Sequence, residues 1–328
     1  MFIIFFVATK HQKGNFMKKI ALALALAGLS ATAFAQSSTT IYGIVDMGVN
    51  HSSGVTGLNS GLQSGSRLGF RGKEDLGGGN AAIFGLEAGF SADTGSFDNH
   101  YGNGLFNRQS WVGLSSTTLG TVKFGRQLTP IYNTLYDLDP FQAGLAGDAT
   151  HLMNDGGRSV SNTVNYSTSM GPVSGEMAYS FGESLNGLRY GNTVGASTSV
   201  DLGSLKLAGA YNHADVAGVT NRTMLIGGTY DLHIVKAHVA FADNDNGGLK
   251  SRNYLLGVSA PITSVDTVMG SMVKLQDRSD TNIGATQLAL GMTHSLSTRT
   301  NLYASLGETK YDAASTDKVV NFGIRHKF

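Results

Sequence analysis

Val319-Val-Asn-Phe-Gly-Ile-Arg-His-Lys-Phe328, the last ten residues of the chain, places Val320, Phe322, Ile324 and Phe328 on one parity. Asn321, Gly323, Arg325 and Lys327 fall on the other. An apolar face against a polar face at period two predicts a half-buried β-strand. The segment also ends on an aromatic residue, where terminal residues usually fray. The final strand of a closed barrel has to pair with the first, so it stays apolar and ordered to its last position. For this segment taken alone, a strand of a soluble sandwich is the alternative.

Composition narrows the choice. The 328 residues include 44 Gly, 4 Pro and no Cys, with 9% aromatic and 14% charged residues. About a quarter of a soluble domain is charged, so this chain is poor in charge. Past the amino terminus no stretch approaches the ~20 continuous apolar residues of a membrane-spanning helix. Without Cys there is no disulfide framework and no thiolate metal site. Lys18-Lys19, the Ala/Leu-rich run Ile20–Ser30 and Ala33-Phe34-Ala35 together read as a secretory signal peptide. Residues 1–35 are expected to be removed, leaving 36–328 as one domain that begins at Gln36. Met17 is the better natural start, and the first sixteen residues read as an over-extended one. Four Lys and no acid lie in 1–35, so the mature chain carries 20 basic and 23 acidic residues, a net charge of −3. That balance offers nothing for nucleic acid.

From Thr39 onward one unit recurs: eight to twelve alternating residues, then a turn. Candidate strands fall near 39–51, 65–74, 79–92, 106–116, 120–127, 160–168, 173–183 and 192–201. Others fall near 204–214, 222–231, 234–243, 251–260, 265–276, 285–295, 300–309 and 318–328. An even number, sixteen, puts both chain ends on the same side, as in bacterial single-chain barrels. Short turns such as Asp75–Gly78, Thr117–Gly120 and Pro261–Ser264 alternate with longer polar connections. The longer ones include His51–Ser64, Ala92–Gly104, Asp243–Lys250 and Glu308–Asp317. All four Pro are expected in connections, where a missing N–H costs no ladder bond. One parity reads as lipid-facing, for example Leu68/Phe70, Val239/Phe241 and Leu288/Leu290. The other carries Arg67/Arg71, Glu87, Asn212, His238 and Gln287 and reads as a polar lumen. The reverse, an apolar inside, would be a sandwich. Strand count, signal peptide and alternating connections favour the barrel.

Leu128–Gly157 breaks the pattern as a thirty-residue connection, far longer than ordinary loops. With Tyr132, Tyr136, Phe141 and the acids Asp137, Asp139, Asp148 and Asp155, it is too apolar for a purely solvated loop. A lumen offers it a place to pack; a surface loop is the plainer alternative.

Several landmarks are Thr40-Ile-Tyr-Gly-Ile-Val-Asp46, Ser66-Arg-Leu-Gly-Phe-Arg-Gly72 and Glu74-Asp-Leu-Gly-Gly-Gly79. They continue with Asn107-Arg-Gln-Ser-Trp-Val-Gly-Leu114, Gly125-Arg-Gln127 and Gly323-Ile-Arg-His-Lys-Phe328. In this order the chain resembles the general porins of Gram-negative bacteria, in particular the Neisseria- and Comamonas-type trimeric porins. The resemblance implies an all-β, 16-stranded antiparallel transmembrane barrel with an inward-folded third extracellular loop. It implies a homotrimer in the outer membrane, in contact with outer-membrane lipids and built by the outer-membrane assembly machinery. It also implies a water-filled channel for small hydrophilic solutes and ions, with no cofactor. The constriction residues carried over are Arg67, Arg108 and Arg158 on the wall, with Glu87 beside them, facing Asp137 and Asp139 of the loop. Arg108 shares the parity of Val112 and Leu114, so an inward side chain there requires a bulge. Phe328 matches the family's assembly signal.

Competing chemistry is thin. The nine His show no H-x-x-x-H pair. Asp243-Asn-Asp-Asn-Gly247 hints at a calcium loop, but position twelve is Tyr254 and not Glu. No G-x-S-x-G or dinucleotide glycine pattern is present, and His294-Ser295 alone cannot supply a nucleophile, base and orienter. Two classes remain: a passive channel of mild anion preference, from the three arginines, and a barrel serving as an adhesin or anchor. An enzyme is not expected.

Overall fold

The computed structural model describes residues 37–98, 102, 104–153, 157–182, 184–185, 188–216 and 218–328. The expected signal peptide and Asp155 lie outside them. Among the described residues eighteen segments form one antiparallel sheet that closes on itself. They are β1 (Ser38–Ser52), β2 (Val55–Ser60), β3 (Arg67–Gly77), β4 (Asn80–Gly89), β5 (Gln109–Ser116) and β6 (Gly120–Leu128). Next come β7 (Ser159–Met170), β8 (Val173–Ser180), β9 (Ser184–Leu185), β10 (Leu188–Asp201), β11 (Leu205–Val216) and β12 (Val219–Asp231). The last six are β13 (Lys236–Asn246), β14 (Leu249–Pro261), β15 (Asp266–Asp277), β16 (Ala285–Ser295), β17 (Thr300–Tyr311) and β18 (Asp317–Lys327). β2 and β3 pair with successive parts of β1 and form one wall strand between them. β8 and β9 do the same beside β10. The wall is therefore a closed 16-stranded antiparallel barrel.

Closure is made by β1 against β18, in register from Ile44↔Lys327 to Ser52↔Val319. Phe328 completes it: its N–H donates to Gly43 O at 3.1 Å, and its carbonyl accepts from Gly43 N at 3.0 Å. The last residue thus pairs with Gly43, near the start of the first strand. A Cβ there would lie 2.3 Å from Phe328 Cζ, so the absent side chain at 43 makes room for the terminal ring. Phe328→Ser is expected to lower the amount of assembled barrel in the membrane. Semi-native electrophoresis of membrane extracts checks this, and an unchanged level would show the ring to be dispensable.

The outward parity is apolar, as expected: Leu68, Val239, Leu288, Leu290, Phe322 and Ile324 are exposed. The connections differ from expectation. Val55–Ser60, read as loop, continues the wall as β2 because Gly54 (φ 80°) turns the chain tightly back along β1. Asp243–Lys250 is mostly strand, with only Gly247 and Gly248 at the turn. The long side of the barrel therefore includes two-residue turns, and among the described residues its bulk lies in 90–98, 104–108 and 129–153. Pro261 is not in a connection either; it is the last residue of β14, opposite Thr267.

The connection between β6 and β7 lies against the inner wall. Thr129 caps the helix α1 (Pro130–Leu138) by accepting from Tyr132 N, and Pro130 sits at N1, where a missing N–H costs nothing. Pro140 prevents its continuation past the cap at Asp139. Ile131, Leu135, Leu138, Leu152 and Met153 bury against inward Ala210, Leu225, Ala240, Ala242, Leu255 and Val273. A second cluster joins Phe141 and Leu145 to Ala289 and Tyr303. The inner wall is thus apolar where this segment lands, and polar elsewhere. Inward glycines supply clearance: a Cβ at Gly195, Gly227, Gly257 or Gly291 would press on Pro130, Leu138, Pro140 or Phe141, at 2.7–3.0 Å.

Candidate functional site

Glu87 on β4 is the centre of a wall cluster. Its carboxylate takes Arg108 Nε at 2.6 Å, lies 3.9 Å from Arg67 Nη1 and accepts from Tyr42 OH at 3.0 Å. Glu87 and Arg108 are both almost fully buried. The bulge expected for Arg108 is not how the chain solves the parity problem. β5 begins one residue later, at Gln109, so Arg108 lies in a bend outside the alternation and is free to turn inward. Asn107 shapes that bend by accepting from Gly89 N at 2.7 Å and donating to Asp98 O at 2.7 Å.

Arg158, at the far end of the connection, stacks its guanidinium over the Tyr132 ring of α1, 4.9 Å from the centroid. Its carbonyl accepts from Thr129 N at 3.2 Å, while Thr129 Oγ1 donates to Gly157 O at 2.8 Å. The base of the inner segment is thereby closed. Arg126 joins this wall. Its Nε donates to Asn107 O at 2.6 Å and its Nη1 to Ser161 Oγ at 2.9 Å, and a register shift between Gly125 and Gln127 brings it out of strict alternation. Arg126 and Arg158 line a cavity of about 820 Å³ together with Asp98, Asp148, His151 and Asp317.

The loop acids divide. Asp137 does not meet the arginines; it pairs with Lys206 Nζ at 2.8 Å, beside a smaller hydroxyl-rich cavity of about 340 Å³. Asp139 is buried and turned into its own loop, accepting from the backbone N–H groups of Phe141, Ala143 and Ala149 at 2.9, 3.0 and 3.1 Å. Burial pushes its carboxyl up to about 7 against the pull of those bonds, helped by the neighbouring Asp148. Asp148 caps the turn Ala149–His151 and reaches the large cavity.

A strut that sequence reading missed holds the segment from the other side. Between β2 and β3 the chain leaves the wall, and buried Asp46 accepts from Gln63 N at 2.9 Å, Ser64 N at 2.6 Å and Tyr303 OH at 2.6 Å. Leu62 O then accepts from Leu145 N at 2.6 Å, and Asn301 Nδ2 donates to Gln63 Oε1 at 2.9 Å. The quoted landmark ending in Asp46 was the available signal for this strut, as Gly125-Arg-Gln127 was for Arg126.

Among the described residues no cluster has the makings of a metal site. What the arrangement provides is a cavity lined jointly by fixed cations and by the packed inner segment.

Comparison with known proteins agrees along the length of the chain. A sequence model described as Gram-negative porin matches residues 21–314. An outer membrane porin protein of Bordetella pertussis is 32% identical, covering 95% of this chain and all of that protein. Outer membrane porin protein 32 of Delftia acidovorans is 34% identical over 92% of both chains. Among solved structures, the anion-selective porin from Comamonas acidovorans superposes with a TM-score of 0.78 at 30% identity, over 89% of this chain and all of that one.

Proposed function

The chain belongs to the Gram-negative porin family, and from that membership we propose that its barrel is a water-filled, mildly anion-selective channel narrowed by the segment 129–153. It is an outer-membrane barrel whose lumen passes small hydrophilic solutes and ions by diffusion. The observation that carries the ionic preference is the cavity lined by Arg126 and Arg158, backed by the Arg67–Glu87–Arg108 cluster. Guanidiniums stay charged at any working pH. A low-dielectric wall focuses their field into the passage and concentrates counter-ions there. Asp98, Asp148 and Asp317 share the cavity and hold the preference to a mild one. We read the assembly as a homotrimer on the family resemblance, since sixteen strands also close as a single barrel. The two-residue turns at 53–54 and 247–248 leave little loop surface for an adhesin.

In planar bilayers under a KCl gradient, the purified protein is expected to conduct steadily, with a reversal potential on the chloride side. The offset should shrink as salt rises toward 1 M, where screening shortens to about 3 Å. A cation-selective channel would sink the selectivity, and silence from correctly folded protein would sink the channel.

A further inference from the structure

The outward parity of two neighbouring strands carries cations where hydrocarbon would be the simple neighbour. Arg252 of β14 and Lys274 of β15 alternate with Tyr254, Leu256 and Met272, all exposed or half-exposed. Arg278, just beyond β15, is tied by its N–H to Lys250 O at 2.8 Å, which brings a third and a fourth cation to the same edge. Arg252 shares a bridge of 3.3 Å with Asp243. Lys274 is in no ion pair among the described residues. These residues lie on the loop side. At roughly 3.4 Å per residue and a 40° tilt, Asp266 to Lys274 climbs about 20 Å, most of the ~25 Å apolar band. A lysine on the lipid face is costly at mid-height and tolerated at the headgroup level, where its stem lies on apolar surface and its ammonium meets polar groups.

Beside them an apolar groove of about 990 Å³ crosses β10–β15, lined by Leu207, Ile226, Val239, Leu256 and Met272 and reaching Lys274 at its β15 end. Outward Gly209, where a Cβ would meet nothing nearer than 3.6 Å, helps leave the depression open. Phe241 and Tyr254, with ring centroids 5.4 Å apart, flank its upper part, the level at which aromatic girdles sit.

We propose that this groove seats an acyl chain of an outer-leaflet lipid whose net-negative phosphate headgroup is held by Lys274 with Arg252 and Arg278. An apolar groove that ends at a cation on the loop side offers the two surfaces that an anionic lipid's acyl chain and headgroup need. The assignment uses the barrel's membrane orientation and not the ion preference of the pore, so a failed selectivity test leaves it standing.

The test is native mass spectrometry of the assembled protein in mild detergent, titrated with dioleoylphosphatidylglycerol or dioleoylphosphatidylcholine. Phosphatidylglycerol should be retained preferentially. Lys274→Gln and Arg278→Gln should each weaken its retention about fivefold, the effect of one cation near a charged headgroup. Lys274→Arg should keep it, and Gly209→Phe should displace both lipids by filling the groove. Equal retention of the two lipids, or no effect of Lys274→Gln in a heat-stable barrel, would overturn the proposal. Displacement of the lipid by millimolar inorganic phosphate would reduce the site to a phosphate site and overturn the acyl seat. Disulfide-linked protomers from Leu256→Cys would reassign the groove to a second copy of the chain.

Discussion

Glutamate in place of both Arg126 and Arg158 reverses the sign of the reversal potential across a KCl gradient. Both guanidiniums line the large cavity, and both are held in place, one by Asn107 O and Ser161 Oγ, the other by the Tyr132 ring. An ion passing about 5 Å from a unit charge feels about 0.8 kcal/mol even at the dielectric of water. Changing the sign of two such charges swings an ion by about 3 kcal/mol, or about 2 after screening at 0.1 M. That is roughly thirtyfold for each ion, in opposite directions for anion and cation, so the anion-to-cation ratio falls by about a thousandfold. Arg108→Ser should shift the potential far less, because Arg108 is buried and its charge is already met by Glu87. An unchanged potential in the double variant, or a larger shift from Arg108→Ser, would move the selective wall elsewhere.

Asp139→Ala releases the inner segment from the wall. Three buried backbone N–H groups lose their acceptor, and each orphaned donor costs about 1–3 kcal/mol, so docking weakens by about 3 kcal/mol or more. Conductance and its noise should rise, and chymotrypsin should cut at Tyr132, Tyr136 or Phe141 while the barrel stays intact. The wild type should also respond to pH. In the docked segment Asp139 holds its proton up to about 7, above its ordinary value of 3.8. Docking is then strongest at acid pH and weakens as pH rises through about 7, since the docked state binds the proton that the released state gives up. Noise should therefore grow from pH 5.5 to 8.5, and Asp139→Asn should flatten that dependence. A flat wild-type profile, or growth toward acid pH, would contradict it.

Strand positions were legible because the outward faces obey period two over long runs, as in Leu288/Leu290/Met292, and membrane solvation enforces that period on every strand. The inward faces were harder. Ala210, Leu225, Ala240 and Leu255 break the polar pattern because the segment that covers them comes from about a hundred residues away, and no local window contains both partners. The inward glycines 195, 227, 257 and 291 were the trace of that contact, indistinguishable in sequence from glycines at turns. Arg67 and Glu87 were found by parity. Arg126 was not, because a bulge removes it from parity. Asp137 and Asp139 could not be ranked by residue type, since orientation within an irregular loop decides whether a carboxylate meets a cation or its own backbone.

Almost every wall strand pairs with its sequence neighbours, and among the described residues only β1 with β18 joins distant parts of the chain. Hairpins can therefore form one after another at little entropic cost, whereas the seam must bring together ends almost three hundred residues apart. Closing a loop of that size costs roughly 5 kcal/mol by the logarithmic rule, repaid only when the seam contacts form together. The barrier to folding should accordingly lie at that one step. Asp46 and Tyr303, with the pairing of Gly43 to Phe328, then become determinants of how fast the protein matures, beyond their part in how stable it is once complete.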